Sequence, residues 1–181
     1  QTISLINGAG GYISNCAFNL NKSDDYNISH KGTTKLFINE TKFKSNSASY
    51  SVYTGAETDI STCDFTEQKG AIYISAKTSV SNSTFTKNKA TPIYSTNSLA
   101  TIQNCTFTSN TSSSYIYNSY TSSNSYAGAV YLGGGGTISN CTFTSNTSSS
   151  SIYGFSSISY AGAVYLGSGG TISNCTFTSN A

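Results

Sequence analysis

Apolar and polar side chains alternate along a ten-residue segment, Thr137 to Asn146, that recurs through the chain. Cys141 and Phe143 fall on one face of this segment, and the threonines around them fall on the other. A period of two residues is typical of a β-strand with one buried face. Ile138 has the opposite parity from Phe143, so the pattern predicts a bend near Asn140 that turns both side chains inward.

The same segment returns unchanged at Thr171 to Asn180, and weaker copies lie upstream. Successive repeat phenylalanines are 25, 22, 20, 22, 36 and 34 residues apart, which indicates a solenoid or similar array. A cysteine precedes five of the seven phenylalanines by two residues. We predict a buried core ladder made of Phe18, Phe43, Phe65, Phe85, Phe107, Phe143 and Phe177, with Cys105, Cys141 and Cys175 in a neighbouring row.

The sequence pattern is compatible both with free thiols and with disulfides in the row of cysteines. A buried free cysteine behaves as a small hydrophobic residue. Cysteines on adjacent coils, about 4.8 Å apart, would be within disulfide range, but their parallel Cα–Cβ vectors make a bridge awkward. We therefore expect buried thiols and keep disulfides as the alternative.

A second apolar segment, Gly-Ala-Val/Ile-Tyr, precedes the first at a fixed distance. Gly70, Gly128 and Gly162 each lie 15 residues ahead of a repeat phenylalanine. Valine, isoleucine and tyrosine favour strands, and glycine suits a tight corner. Each coil therefore holds three short strands in about 20–22 residues, and coils of equal length stack in register. The predicted fold class is all-β, a right-handed parallel β-helix (β-solenoid) of about seven coils.

An amide side chain follows each repeat phenylalanine by three residues. Stacked amides hydrogen-bond along the axis of a β-array, which explains why an amide recurs at this one position. We predict an amide ladder made of Asn46, Gln68, Asn88, Asn110, Asn146 and Asn180.

The chain is predicted to be one β-solenoid domain, residues 1–181, or a fragment of a longer array. Two Ser/Tyr-rich insertions at one corner, residues 111–126 and 147–160, account for the longest spacings. Such insertions lie on one side of a solenoid, often its binding face. The sequence is compatible with insertions that pack on the coils, pack on a neighbouring molecule or are disordered. Residues 19–35 are predicted to be an irregular loop or cap, with His30 at the surface.

Charge is scarce and is confined to the N-terminal half of the chain. Charged residues make up 9% of the sequence, there is no arginine, and no charged residue follows Lys89. Nucleic-acid binding and a polybasic membrane surface both need clustered basic residues, so both are disfavoured. No apolar run is long enough to span a membrane. The uncharged half must be kept soluble by hydroxyls, amides or attached sugars.

Nine Asn-x-Ser/Thr sequons occur in the chain. Asn104, Asn140 and Asn174 share one register at the predicted bend and would form a row on the surface. Asn110 and Asn146 also begin sequons, but an inward amide of the ladder cannot carry a sugar. Glycans suit a charge-free extracellular surface, and O-linked sugar on the Ser/Thr-rich insertions is a further expectation. The predicted glycosylation sites are Asn27, Asn39, Asn82, Asn104, Asn140 and Asn174.

No arrangement of residues in the sequence predicts catalysis, a metal site or a cofactor. The cysteines lack the spacing of a zinc site, and His30 has no recurring serine or aspartate partner. β-Helix enzymes that act on polysaccharides need paired carboxylates, or a basic residue with bound calcium. Asp24, Asp25 and Asp64 are the acids considered for such a role, and a carbohydrate-active enzyme is kept as an alternative.

Threonines flank the repeat phenylalanine on both sides in four repeats. The pairs are Thr84/Thr86, Thr106/Thr108, Thr142/Thr144 and Thr176/Thr178. Regular Thr-x-Thr rows on a β-solenoid resemble the ice-binding faces of some antifreeze proteins. Ice binding is therefore a second alternative, although threonine also favours exposed strand positions in general, and Lys42, Lys44 and Asp64 interrupt the row upstream.

The two repeated segments together resemble the repeats of the chlamydial polymorphic outer-membrane proteins, which carry Gly-Gly-Ala-Ile/Leu/Val and Phe-x-x-Asn tetrads on a right-handed β-helix. The second tetrad is found at Phe18 to Asn21, Phe43 to Asn46, Phe85 to Asn88, Phe107 to Asn110, Phe143 to Asn146 and Phe177 to Asn180. The first tetrad lacks its leading glycine in this chain; in the copy from Ala127 to Val130, for example, alanine occupies that position. The resemblance implies surface display and adhesion, and similar repeats occur in secreted proteins of single-celled eukaryotes.

These features favour a non-enzymatic extracellular or cell-surface protein. The hypothesis is a glycosylated β-solenoid that acts as a filament subunit, a coat or an adhesin, with no catalytic residue, metal or cofactor. Its expected partners are further copies of itself, stacked end to end because an open sheet edge invites pairing, or other surface proteins. Neither nucleic acid nor a direct membrane span is expected.

Overall fold

Three parallel sheets run along the molecule. The computed structural model describes residues 2–22, 25–96, 100–116, 123–152 and 157–181. These residues contain twenty-five strands, numbered β1 to β25 in chain order. Each coil contributes one strand to each of three seven-stranded sheets, so the chain makes seven coils. The predicted all-β fold, a parallel β-helix, is confirmed.

Each sheet takes one strand from every coil, and the strands pair in parallel with the coils on either side. Sheet 1 comprises β1 (Ile3–Leu5), β4 (Tyr26–His30), β7 (Tyr50–Thr54), β10 (Ile72–Ile74), β13 (Ile93–Ser95), β18 (Val130–Leu132) and β23 (Val164–Leu166). Sheet 2 comprises β2 (Gly11–Ser14), β5 (Leu36–Asn39), β8 (Thr58–Ser61), β11 (Thr78–Ser81), β14 (Ala100–Gln103), β19 (Thr137–Ser139) and β24 (Thr171–Ser173). Sheet 3 comprises β3 (Ala17–Asn19), β6 (Lys42–Lys44), β9 (Asp64–Thr66), β12 (Thr84–Thr86), β15 (Thr106–Thr108), β20 (Thr142–Thr144) and β25 (Thr176–Thr178).

The core is a stack of like residues, because each strand buries alternate side chains. In the fourth coil Ile72, Val80 and Phe85 point inward from the three sheets and are fully buried. The repeat phenylalanines form one column on sheet 3, with ring centroids of successive coils 4.7–5.0 Å apart. Stacked aromatic pairs stabilise a core beyond the area that they bury. Phe18 is nearly buried, and Phe177 in the last coil is 47% exposed.

Two corners of each coil are single residues in the left-handed conformation. Asn140 (φ 53°) turns the chain from sheet 2 to sheet 3, and Ser145 (φ 54°) turns it out of sheet 3. Asparagine adopts this conformation more readily than most residues, which accounts for the bend predicted at Asn140. Gly128 is required for a different reason. A Cβ there would lie 1.8 Å from the carbonyl oxygen of Gly162, so adjacent coils leave no room for a side chain.

The two insertions fold as an outgrowth of the coils. β16 (Thr111–Ile116) pairs in parallel with β21 (Thr147–Ile152), and β17 (Ser123–Ala127) pairs with β22 (Ser157–Ala161). The Ser125 hydroxyl joins the two layers: it donates to the Ser112 carbonyl oxygen at 2.7 Å and lies 2.9 Å from the Ser148 hydroxyl. The described part of both insertions is therefore regular strand, and residues 117–122 and 153–156 lie outside the description.

Two expectations about the N-terminal region are wrong. The region 19–35, predicted to be an irregular loop or cap, contains β4, which pairs with β1 and β7. The polar composition of this segment conceals a strand whose Ile28 is fully buried. His30, expected at the surface, is also fully buried. Its Nδ1 lies 2.9 Å from the Thr58 hydroxyl and its Nε2 lies 3.0 Å from the Thr34 carbonyl oxygen, so hydrogen bonds satisfy the buried ring.

Candidate functional site

A row of asparagines lies on the outer edge between sheets 2 and 3. Asn82, Asn104, Asn140 and Asn174 occupy equivalent corners of successive coils, with φ between 48° and 53°, and all four are exposed. The backbone amides of Asn82, Asn104 and Asn140 donate to the next coil, as from Asn104 to the Ser139 carbonyl oxygen at 3.1 Å. The backbone therefore fixes the spacing of the row, and the side chains project into solvent. We call these four residues the asparagine row.

Each member of the asparagine row begins a sequon whose hydroxyl is also exposed. In the sequon 140–142, Cys141 points into the core, while Asn140 and Thr142 flank it on the outside. The same arrangement recurs at 82–84, at 104–106 and, in the more open last coil, at 174–176. This edge can therefore carry glycans without displacing a buried side chain.

The remaining two predicted glycosylation sites lie elsewhere. Asn39 is half-buried at the end of β5, and its Oδ1 accepts a 3.3 Å hydrogen bond from the Ser61 hydroxyl. Asn27 is fully buried in β4, and its side-chain nitrogen and oxygen have no hydrogen-bond partner among the described residues. A glycan at Asn27 is incompatible with this burial, so the prediction for that residue is wrong. The sequence did not indicate that Asn27 is buried, because the residues around β4 showed no strand pattern.

The amide ladder is a chain of buried hydrogen bonds along the axis. Asn110 Nδ2 donates to Asn146 Oδ1 at 2.8 Å and to the Phe85 carbonyl oxygen at 3.0 Å. Asn110 Oδ1 accepts from the Nδ2 and the backbone amide of Asn88, at 2.8 and 3.0 Å. One side chain thus joins three coils. Asn46, Asn88, Asn146 and Asn180 likewise donate to the phenylalanine carbonyl oxygen of the preceding coil.

Gln68 interrupts the run of asparagines in this ladder. Its Oε1 accepts from Asn46 Nδ2 at 3.1 Å, but its Nε2 turns back to the Thr66 carbonyl oxygen of its own coil at 2.7 Å. The link to the next coil is its backbone amide, which donates to Asn88 Oδ1 at 2.9 Å. The extra methylene of glutamine allows this turn, so the side-chain ladder has one gap between Gln68 and Asn88.

The five cysteines are free thiols. Cys63, Cys105 and Cys141 are buried, whereas Cys16 is exposed and Cys175 is half-buried. In the last three coils the backbone amides of Cys105 and Cys141 each lie 3.4 Å from the sulfur of the next cysteine. Burial raises the pKa of the Cys63 thiol to about 11. Such a thiol is protonated and unreactive at neutral pH.

The outer face of sheet 3 carries the threonine pairs. Thr106 and Thr142 are register partners, as are Thr108 and Thr144, and the array extends over β12, β15, β20 and β25. No charged side chain belongs to these four strands. The array is regular because adjacent strands in a sheet lie about 4.8 Å apart. It directly borders the asparagine row.

Charged side chains replace the threonines in the second and third coils of sheet 3. Lys42 and Lys44 flank Phe43 on β6, and Asp64 accepts a hydrogen bond of 2.5 Å from the Thr84 hydroxyl. Glu40 and Asp64 line one groove together with Lys42. The structure therefore brings two acids, Glu40 and Asp64, to one groove. Of the other acids considered for catalysis, Asp25 is exposed, and Asp24 lies outside the described residues.

A second charged cluster lies on the outer side of sheet 2. Lys35 Nζ lies 2.7 Å from Asp59 and 3.4 Å from Glu57, and Lys77 Nζ lies 3.1 Å from Glu57. Hydrogen bonds from Lys77 and Lys35 lower the pKa of Glu57, and the hydrogen bond to Asp59 raises the pKa of Lys35. Exposed ion pairs of this kind stabilise a fold only slightly. In the part of the chain that the structure describes, no three His, Cys, Asp or Glu side chains are grouped to hold a metal ion.

Sequence reasoning missed a column of tyrosines on the outer face of sheet 1. The column contains one tyrosine from each of five successive coils, with ring centroids 4.9–5.6 Å apart. Further tyrosines at the adjoining corner contact its rings. We call the whole set the tyrosine face: Tyr53, Tyr73, Tyr94, Tyr131 and Tyr165 in the column, with Tyr26, Tyr50, Tyr126 and Tyr160 beside it. The recurring tyrosine of the Gly-Ala-Val/Ile-Tyr segment was the available signal.

The phenols of this face are close-packed. Burial, together with the neighbouring Tyr126 and Tyr131, raises the pKa of Tyr94 to about 12. Burial also raises the pKa of Tyr50. The N-terminal end of the column is covered by Lys31, whose Nζ lies 5.5 Å from the centroid of the Tyr53 ring. A cation over an aromatic face is a favourable contact.

Comparison with known proteins supports the architecture. The family model for right-handed β-helix regions matches residues 52–181. Neither a curated protein nor a solved structure matches the chain. Among the described residues there is no helix whose length and apolar character would let it cross a membrane.

Proposed function

The chain belongs to the right-handed β-helix family, and we propose that it is a glycosylated, non-enzymatic extracellular β-solenoid. Its role is that of a surface or structural protein: a coat, an adhesin or a filament subunit. The observation that carries this proposal is the asparagine row. Four complete sequons lie on one edge, with both the asparagine and the hydroxyl residue outside the core.

An extracellular location is supported by the composition and by the buried thiols. Residues 90–181 contain no charged side chain, so attached sugar would supply the solubility that charge supplies elsewhere. Three of the five cysteines are buried. Because buried structural cysteines are inert, these cysteines can remain reduced in an oxidising compartment.

A non-enzymatic role is supported by the surroundings of the acids. Two carboxylates that act as acid and base need environments that keep one of them protonated. Glu40 is exposed, Asp64 is half-exposed, and Lys42 lines the same groove. Cleavage of a polysaccharide by the protein, lost in the Glu40→Gln/Asp64→Asn variant, would contradict this part of the proposal.

We assign the repeats to the polymorphic outer-membrane protein type as part of the same proposal. In the Phe143–Asn146 tetrad the phenylalanine joins the aromatic column and the asparagine joins the amide ladder, so both defining residues have a structural reason. Gly128 fits the close approach of two coils, as the glycine of the first tetrad requires. If the repeats are of this type, the protein is displayed on a surface, where it adheres to other surface proteins or associates with further copies of itself.

Secretion of the chain from cultured eukaryotic cells, behind an added signal peptide, tests the proposal. Intact mass and glycopeptide mapping before and after removal of N-glycans should locate sugar on the asparagine row. Coils are about 4.8 Å apart, so we expect crowding to leave glycans at alternate corners. Mapping that finds all four asparagines of the row unmodified would contradict the proposal.

A matched pair of variants isolates the row from the remaining sequons. Replacing the hydroxyl residues of the four sequons with alanine, at Thr84, Thr106, Thr142 and Thr176, should abolish glycosylation of the row without altering the corner asparagines. The corresponding set of Thr→Ser substitutions keeps the sequons and should keep the glycans. Equal sugar content of the two variants would show that the glycans lie elsewhere.

Ice binding is a second candidate function, favoured by the threonine array of sheet 3. The eight threonines of β12, β15, β20 and β25 are in register, and no charge interrupts them. Glycans on the adjoining asparagine row would cover this face, so the two functions exclude each other. Thermal hysteresis of unglycosylated protein, lost in Thr106→Lys/Thr142→Lys, would favour ice binding; its absence in the unmodified protein removes this candidate.

A further inference from the structure

The tyrosine face has no role in the proposed function, and it concentrates one kind of reactive side chain. Among the residues that the structure describes, nine tyrosines belong to it. We propose that this face is a site of oxidative tyrosine coupling, where neighbouring phenols are joined into dityrosine by a peroxidase. The inference does not rest on the glycosylation of the asparagine row.

Two edge-on pairs on the face already have ring centroids near the separation found in the product. Tyr126 and Tyr131 have ring centroids 4.8 Å apart and an interplanar angle of 66°. Tyr160 and Tyr165 repeat this arrangement one coil further on, at 5.0 Å and 67°. Joining two rings through their ortho carbons brings the centroids only slightly closer than this. Because these rings are only partly buried, rotation about their side-chain bonds can bring the two ortho carbons together.

The stacked column supplies a route by which oxidation reaches these pairs. Tyr94, Tyr131 and Tyr165 are stacked, with successive centroids 4.9 Å apart and planes within 8° of parallel. An electron hole formed on one ring can therefore pass to the next over van der Waals contact. The radical is then shared along the face, and a second oxidation nearby places two radicals on adjacent rings.

Competing targets of oxidation are few. The chain contains no methionine and no tryptophan. Cysteine oxidation follows the accessible thiolate. Cys63, Cys105 and Cys141 are buried, and the two accessible thiols, Cys16 and Cys175, lie outside the tyrosine face. Tyr12 is a useful contrast: it is 79% exposed and stacks on Phe37, at 4.9 Å, outside the tyrosine face. Exposure alone would direct oxidation to Tyr12, whereas contact between phenols directs coupling to the face.

The reaction balances with hydrogen peroxide as the oxidant and a haem peroxidase as the catalyst. Each of two phenols loses its hydroxyl hydrogen as one proton and one electron. The two phenoxyl radicals form one bond between their ortho carbons, and each ring regains aromaticity when its ortho hydrogen moves to the phenol oxygen. One hydrogen peroxide accepts the two electrons and two protons and becomes two water molecules. The product closes a covalent loop across the corner between β17 and β18, or between β22 and β23.

Treatment of the folded, unglycosylated full chain with hydrogen peroxide and horseradish peroxidase at low protein concentration tests this inference. We expect dityrosine fluorescence in the monomer fraction after gel filtration. Peptide mapping should find masses reduced by two hydrogens in segments that contain Tyr126/Tyr131 or Tyr160/Tyr165. Elastase is the suitable protease, since no lysine or arginine follows Lys89 and trypsin cannot cut the region.

Three variants identify the reacting residues. Tyr126→Phe/Tyr160→Phe keeps both rings but removes one phenol from each close pair, and it should lose the monomer fluorescence. Tyr12→Phe is the matched control and should retain it. Melting curves check that all variants keep the wild-type fold. The inference is overturned if the wild type forms no dityrosine as a monomer, if the double variant keeps the signal, or if Tyr12→Phe removes it.

Discussion

The amide ladder makes a sharp prediction at Asn110, where an isosteric substitution reverses the hydrogen-bonding character of a buried atom. Asn110→Asp replaces an Nδ2 that donates to Asn146 Oδ1 and to the Phe85 carbonyl oxygen, at 2.8 and 3.0 Å. The new oxygen faces two acceptors in a fully buried position. The two bonds from Asn88 to the other oxygen are kept.

The expected cost follows from these contacts. Two lost hydrogen bonds remove about 2 kcal/mol, at about 1 kcal/mol each, and the unsatisfied acceptors or a buried charge add about 1–3 kcal/mol. We expect Asn110→Asp to lower the free energy of unfolding by about 3–5 kcal/mol at neutral pH. Asn104→Asp is the matched control. Asn104 is exposed with φ 53°, a conformation that aspartate also tolerates, so its effect should stay within about 0.5 kcal/mol.

The pH dependence of Asn110→Asp provides an independent check. Burial and the two facing acceptors raise the pKa of the new carboxyl above its value in the unfolded chain. The folded state therefore binds more protons than the unfolded state, and stability falls as pH rises through and above the ordinary aspartate range, about 4. Urea denaturation of bacterially expressed protein, at acid and neutral pH, measures both effects. Equal destabilisation by Asn110→Asp and Asn104→Asp would refute the reasoning.

Three further predictions follow from burial and charge. In the native protein a thiol reagent should modify Cys16 rapidly and Cys63 only after denaturation, because Cys16 is exposed and burial raises the pKa of Cys63 to about 11; rapid native labelling of Cys63 would contradict its placement. Lys35→Gln removes one of two cations that lower the pKa of Glu57, so an NMR titration should show that pKa rising, and an unchanged value would mean that the contact is not formed in solution. Phe143→Ala should destabilise the fold by about 3–5 kcal/mol in thermal melts, because the ring is fully buried in the aromatic column; an unaltered melting temperature would place the ring outside the core.

The parts of the fold that repeat could be predicted from the sequence, because stacking places like residues on like. The opposite parities of Ile138 and Phe143 required a bend, and Asn140 is in the left-handed conformation at that position. The spacing of the phenylalanines indicated the length of an ordinary coil, and the two longest spacings indicated where insertions lie. Each of these inferences used a pattern that several coils share.

The parts that could not be predicted depend on single coils or on contacts between outward side chains. β4 is buried although most of its residues are polar. A pattern of apolar residues could therefore not reveal the burial of Asn27 or His30. Gln68 was correctly grouped with the asparagines as an amide, but its extra methylene sends its nitrogen to Thr66 instead of the next coil. Predicting the tyrosine face requires knowing how the strands align on either side of the two insertions. The sequence of a single strand does not give that alignment.

The coil register is the central claim, because the asparagine row, the amide ladder and the tyrosine face all depend on it. NMR of protein labelled in asparagine and phenylalanine tests it most directly across the first insertion. The account predicts contacts between the side-chain amides of Asn110 and Asn146, and between the rings of Phe107 and Phe143, whose centroids lie 4.8 Å apart. A slip of two residues would keep the same faces inward but place Phe107 against Cys141 or Ser145. Contacts of that shifted kind, or none between these coils, would contradict the account.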